Sequence, residues 1–228
     1  MIRPFISVCA LALSLHAGIP ANINFSSDPG SKLNFLGTGG GGTFGVTGAS
    51  SITAINAPYA ALSASNATIS GLATVSGVTV LDPFTQQATV GGTQTFTLTA
   101  AAGSFLTASL TWFTMQSIDF GGFGGTDLLN TSGVFNLTGF STSLNGANPG
   151  QDAALTALAN SAPGQLTLST TTFLPLTTLF ASSAVNNIGA FTMELVTSTP
   201  EPGFFVIVLT LGLCLFAAKR HLAPVFSK

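Results

Sequence analysis

From Leu106 to Trp112 every second residue is apolar: Leu106, Ala108, Leu110 and Trp112, with Thr107, Ser109 and Thr111 between them. Successive side chains of a strand point to opposite faces, so a period of two describes a strand with one face in a core and the other in water. A helix would scatter the same residues around its circumference. The pattern recurs at Phe96 and Leu98 among Thr95, Thr97 and Thr99, at Phe135 and Leu137 around Asn136, and at Leu166 and Leu168 around Thr167. It returns at Phe191, Met193 and Leu195, which enclose Thr192 and Glu194. Thr-rich outer faces suit antiparallel sheets with one solvated side. Gly-Gly pairs at 91–92, 121–122 and 124–125, with Asn145-Gly146 and Pro163-Gly164, supply turns between the runs.

Strands at this spacing, in a segment long enough for one substantial core, predict a single all-β domain: an antiparallel β-sandwich with one short helix. Jelly-roll and immunoglobulin-like topologies fit the pattern equally. The helix is expected from Pro149 to about Asn160, with Asn148 as N-cap, Pro149 at the first helical position, Leu155 and Leu158 facing the sheet, and Pro163 forbidding continuation. Leu106 to Trp112 is the expected central strand, with Trp112 in the core of an independently folding monomer. The hexads Ala67-Thr-Ile-Ser-Gly-Leu72 and Ala73-Thr-Val-Ser-Gly-Val78 are a duplication. Two copies are too few for a solenoid and read as a hairpin or an edge strand.

Both ends of the chain have a different character. Arg3 precedes an apolar run from Phe5 to Leu15, followed by the small residues Ala17, Gly18 and Ala21, which reads as a secretory signal peptide over 1–21. Cleavage is expected after Ala21 or near Ala17. At the other end Thr199-Pro200-Glu201-Pro202-Gly203 leads into an uncharged apolar stretch, Phe204 to Ala218, which Lys219, Arg220 and His221 terminate. As a helix this stretch reaches about 22 Å, short of a hydrocarbon core of about 30 Å, so it spans only with help from its flanks. The basic stop favours a cytoplasmic location for that end and puts everything before the motif outside. The expected organisation is a signal peptide (1–21), an exported β-sandwich domain (22–196), a linker with the Pro-Glu-Pro motif (197–203), a membrane helix with basic stop (204–221) and a short tail (222–228).

Pro200-Glu201-Pro202, the apolar run with Leu209, Leu211, Leu213 and Leu215, and the basic pair Lys219 and Arg220 together resemble the PEP-CTERM sorting signal of exported bacterial proteins. The chain departs from that pattern by continuing past its basic cluster from Leu222 to Lys228. The resemblance implies a membrane-anchored precursor, an exosortase-type protease as processing partner, and a mature domain at the cell surface or outside the cell. It says nothing about residues 22–198.

Chemistry in that exported part is sparse. His16, His221, Cys9, Cys214, Arg3 and Arg220 all lie in the terminal segments, which leaves residues 22–198 without histidine, cysteine or arginine. Lys32 is their only cation, against Asp28, Asp82, Asp119, Asp127, Asp152 and Glu194. Nucleic acid is excluded as a partner, since binding it needs clustered Lys and Arg. Ser-His-Asp and Cys-His catalysis and zinc sites on His or Cys are excluded by the same inventory. No catalytic residue, cofactor or metal site is therefore assigned. Asp119 to Asp127 flanks a Gly-rich turn and is read as a solvated loop, with calcium the one metal left open. Gly37 to Gly42 satisfies G-x-G-x-x-G but continues as Thr43-Phe44-Gly45-Val46, so it is read as a hairpin loop and not as a nucleotide site.

The expected function is a non-catalytic surface or extracellular-matrix protein with a structural or adhesive role. Alternatives are a carbohydrate-binding module, with extracellular polysaccharide as partner, and a carboxylate-only glycosidase, which needs two carboxyl groups at suitable distance. Because residues 22–198 carry no thiol or imidazole, the melting temperature of the exported part is expected to be the same with and without dithiothreitol or a zinc chelator. A drop with dithiothreitol in metal-free buffer would contradict this inventory.

Overall fold

Each alternating run falls on a strand in the computed structural model, and the apolar members of the runs whose side chains are described are buried. The structure describes residues 20–119, 129–161, 163–172 and 174–197, apart from the side chains of 112, 113 and 129–131. Pro200, Glu201, Pro202, Lys219, Arg220, the C-terminal helix and almost all of the expected signal peptide lie outside these residues.

The strands are β1 (Asn22–Ser27), β2 (Lys32–Gly37), β3 (Gly42–Thr47), β4 (Ser50–Ile55), β5 (Asn66–Ser70), β6 (Leu72–Asp82) and β7 (Thr85–Gly91). They continue with β8 (Thr93–Thr99), β9 (Phe105–Asp119), β10 (Leu129–Ser143), β11 (Gly164–Thr172), β12 (Val185–Ile188) and β13 (Thr192–Thr197). All pairings are antiparallel, and several strands are halves of one bent path. β1 runs on into β2 while its partner β4 continues from β3, and the same holds for β5 into β6 beside β7 into β8. β12 runs on into β13 beside β2 and β1. The chain is thus an up-and-down meander of eight paths. The last path returns to the first, because β13 pairs with β11 on one side and β1 on the other.

An eight-stranded closed barrel therefore replaces the expected sandwich. The all-β class stands, but a barrel wall and a sandwich sheet bury one face alike and share the same alternation. What separates them is the pairing of Ser26 with Thr192 and of Ser169 with Thr192, between residues remote in sequence. The meander order also removes the jelly-roll and immunoglobulin-like alternatives.

The paths turn at aligned corners. Gly71 (φ 96°) joins β5 to β6 and Gly92 (φ 93°) joins β7 to β8, a left-handed backbone that only glycine adopts at no steric cost. At the same level β9 has a bulge: Thr114 faces Val134 and Trp112 faces Phe135, so Phe113 is extra. The bulge reverses which residues point inward. Leu106, Ala108 and Leu110 are buried before it, Met115, Ser117 and Asp119 after it. β9 is central as expected, with β10 along one edge and β8 and then β7 along the other. The side chain of Trp112 lies outside the described residues. The duplicated hexads prove to be consecutive stretches of one path around Gly71, with Ala67, Ile69, Ala73 and Val75 all facing in, and do not form the expected hairpin.

Both described chain ends, Pro20 and Thr197, lie at one end of the barrel, the near end. Helix α1 (Pro149–Asn160) closes it as the sequence predicts, with Asn148 Oδ1 accepting from the Gly150 and Gln151 amides and Ala154, Leu155 and Leu158 buried. It packs against the 3-10 turn Tyr59–Leu62, whose Tyr59 and Leu62 are buried too. At the far end the short helix α2 (Leu176–Leu179) enters the lumen with Leu176, Leu179 and Phe180, and Phe180 meets Phe35 edge-on at 5.5 Å. Gln86 pins it by accepting from the Thr177 amide at 3.0 Å. Phe25 and Phe96 meet edge-on at 6.2 Å in the near half, so the barrel is filled with side chains.

Among the described residues no helix is long and apolar enough to cross a membrane. The outer face of the barrel wall is rich in hydroxyls, with exposed Leu36, Leu72, Phe105 and Val196 scattered among them, while most Phe and Leu of the strands face inward. Phe96→Ala is expected to cost about 3–5 kcal/mol of stability in urea unfolding, whereas Thr95→Ala on the outer face is expected to change it by less than about 0.5 kcal/mol.

Candidate binding surface

The carboxylates of Asp28, Asp82 and Asp152 brace local structure. Asp28 accepts from Ser51 Oγ at 2.6 Å beside the corner between β1 and β2. Asp82 accepts the Phe84 amide at 2.7 Å and shapes the β6–β7 turn. Asp119 is 3 % exposed, and its amide donates to the Phe84 carbonyl, which ties β9 to the same turn. Glu194 stands on the outer wall, accepting from Asn22 Nδ2 at 3.3 Å. Asp127 and the Gly-rich loop 120–128 lie outside the described residues. Among the described residues no group of three or more His, Cys, Asp or Glu could hold a metal ion.

Asp152 belongs to the most connected polar cluster. The fully buried Ser104 hydroxyl lies 2.5 Å from Asp152 Oδ1 and 3.0 Å from Asn145 Oδ1. It has one proton, and the shorter, charge-assisted contact to Asp152 takes it. Asn145 Oδ1 accepts from the Ala147 amide instead, its Nδ2 donates to the Ala102 carbonyl, and its own amide donates to Ser104 Oγ. Asp152 Oδ2 accepts from the Gly146 amide. The cluster fastens the first turn of α1 to the β8–β9 turn.

Gly37 to Gly42 is the hairpin turn the sequence suggests, with the Thr38 amide donating to the Gly41 carbonyl. The Gly39 and Gly40 amides, which a phosphate loop would offer to a ligand, both donate to the Phe180 carbonyl.

What the molecule presents outward is a charge-poor field of hydroxyls in register. Thr68 faces Thr97, which faces Thr107, which faces Ser141, and the next row runs through Ser70, Thr95, Ser109 and Thr138. Rows lie roughly 6.7 Å apart along the strands, and neighbours in a row roughly 4.8 Å apart. A concave feature lies elsewhere on the wall, where β13 begins. Beyond Ser169 and Thr192, β11 and the β12–β13 path separate, and Thr170 Oγ1 bridges them by donating to the Ala190 carbonyl at 2.6 Å. The groove there measures about 360 Å³ and is lined by Ser26, Ser27, Ser169, Thr170, Thr171, Ala190, Phe191 and Thr192. A second groove of about 320 Å³, between Asn136, Pro163, Gly164, Gln165, Val196 and Thr197, lies nearer the α1 end. Such surfaces match neutral, hydroxyl-rich ligands, which offer donors and acceptors without charge. Neither groove was legible beforehand, since each forms between strands distant in sequence.

Comparison with known protein families, with curated proteins and with solved structures finds no match. If Asp152 serves the fold, Asp152→Ala is expected to cost about 1–3 kcal/mol by removing the charged acceptor of both the Ser104 hydroxyl and the Gly146 amide, and Glu194→Ala on the outer wall less than about 0.5 kcal/mol. Thermal melting of the two variants checks the contrast.

Proposed function

We propose that this chain is an exported bacterial surface or extracellular-matrix protein, delivered by a PEP-CTERM tail and serving a non-catalytic structural or adhesive role. The observation that carries the reading is the tail: Pro200-Glu201-Pro202, the apolar run Phe204 to Ala218, and Lys219-Arg220. Proline restricts its own backbone and that of the residue before it, which suits such a motif to recognition by a protease. A closed barrel with a filled core and a charge-poor, hydroxyl-rich coat suits a passive role outside the cell. Of the two candidate signal-peptide bonds, the one near Ala17 fits the fold better. Pro20 accepts from Asn56 Nδ2, the Ala21 amide donates to Thr197 Oγ1, and the Thr197 amide donates to the Ala21 carbonyl, so cleavage after Ala21 would cost the barrel these bonds.

Binding of extracellular polysaccharide is the second reading, favoured by the hydroxyl-lined groove at Ser169 to Thr171 and Thr192. Retention of the protein on polysaccharide gels, lost with Thr171→Lys, is the result that would favour it over the first.

The sorting reading is tested by intact mass in a host possessing an exosortase. Wild-type protein outside the cell is expected to lack residues 204–228 and to begin near Gly18. Replacing Pro200, Glu201 and Pro202 by Ala is expected to leave the full tail attached and the chain in the membrane. Equal release of both forms would reduce the tail to a plain anchor.

A further inference from the structure

Beyond Thr192 the wall of the barrel has a lip that no described strand covers. Among the described residues β12 pairs with β2 on one edge only, Val185 opposite Leu36 and Ile188 opposite Leu33. The Gly37 amide donates to the Ala184 carbonyl, which fixes the phase of that ladder. In an antiparallel pair the residues bonded to the partner alternate with residues whose N–H and C=O point the other way. Ala184, Asn186 and Ile188 therefore address β2, and the amides and carbonyls of Val185 and Asn187 point outward. Native proteins protect such an edge with charge, proline or a bulge. From Ala184 to Ala190 this one has none of these in its sequence, and Val185, 69 % exposed, stands beside the exposed Leu36.

We propose that β12 is a self-association edge that pairs with β12 of a second copy about a two-fold axis at Asn186. Antiparallel pairing in this register sets Val185 opposite Asn187 of the other copy, and every outward amide and carbonyl of both strands then finds a partner. The strand suits its own copy because it carries no charge to repel, although residues 22–198 are acidic as a whole. Each Val185 gains a neighbouring strand in place of water. Pro20 and Thr197 leave at the opposite end of the barrel, so neither terminal segment starts at the lip. Four residues a side make a small interface, below the size of a stable dimer, and the association is weak and grows with local concentration. This proposal departs from the monomer expected from the sequence.

The test uses the full-length chain in detergent with Cys9 and Cys214 replaced by Ser. At the two-fold axis the pair is of the non-hydrogen-bonded kind, with Cα atoms about 4.5 Å apart, within disulfide reach. Asn186→Cys is expected to form an interchain disulfide under mild oxidation, and Thr68→Cys on the outer wall to stay monomeric. Adding Asn187→Pro removes an outward amide that β2 does not use, so the dimer band is expected to disappear while circular dichroism is unchanged. Sedimentation of the unsubstituted chain against Asn187→Pro covers the case in which Asn186→Cys, losing the side-chain bond to the Leu179 carbonyl, fails to fold. Wild-type association that Asn187→Pro abolishes supports the proposal. A wild-type chain that stays monomeric at its highest soluble concentration, association that Asn187→Pro leaves intact, or equal crosslinking of the Thr68→Cys control overturns it.

Discussion

The barrel depends on β13 lying between β1 and β11. Apart from β12 on β2, every other pairing joins paths that follow one another in the chain, and without β13 the wall would be an open, curling sheet. β13 converts the sheet into a closed wall, and the paired bonds between Ala21 and Thr197, 176 residues apart, hold its rim at the near end. Closure is a non-local event: the loop entropy of bringing the ends together must be met before the last ladder repays it. The near half of the barrel completes the circle and its apolar lumen is sealed by α1. Among the described residues the far half does not, and α2 fills it from within.

Local grammar was readable in the sequence and long-range geometry was not. The alternation at Leu106 to Leu110, at Phe96 and Leu98, and at Met193 and Leu195 located strands and their buried faces correctly, because facing is a property of neighbours. The Asn148 cap and Pro149 located α1 for the same reason. The alternation could not say that Ser169 and Ser26 would share Thr192 as a partner, and so sandwich and barrel looked alike. Nor could it anticipate that the extra residue at Phe113 would turn the inward face of β9 from even to odd positions, since a bulge is defined by the strand opposite. The expected hairpin at the duplicated hexads fails on the same point, a glycine read as a turn where it is a corner.

The site chemistry follows a similar division. The absence of His, Cys and Arg from residues 22–198 was a matter of composition and excluded whole classes of catalysis without any geometry. The roles of the carboxylates needed the fold. Asp152 reads in isolation as a helix N-terminal acid, and only the meeting of α1 with the β8–β9 turn makes it the acceptor for Ser104. The groove beside Thr170 and Phe191 is a by-product of two strands parting company, which leaves no mark in either strand's own residues.

The placement of β13 also decides how the molecule bears load. Its hydrogen bonds to β1 and β11 run across the strand, so a pull on Thr197 along the barrel axis stresses both ladders in shear and all their rungs share the force. A pull that separates Ala21 from Thr197 sideways meets the same ladder one rung at a time, beginning at the rim. The barrel is thus mechanically anisotropic: resistant to tension from a tether leaving at Thr197, and weak against forces that pry its two ends apart.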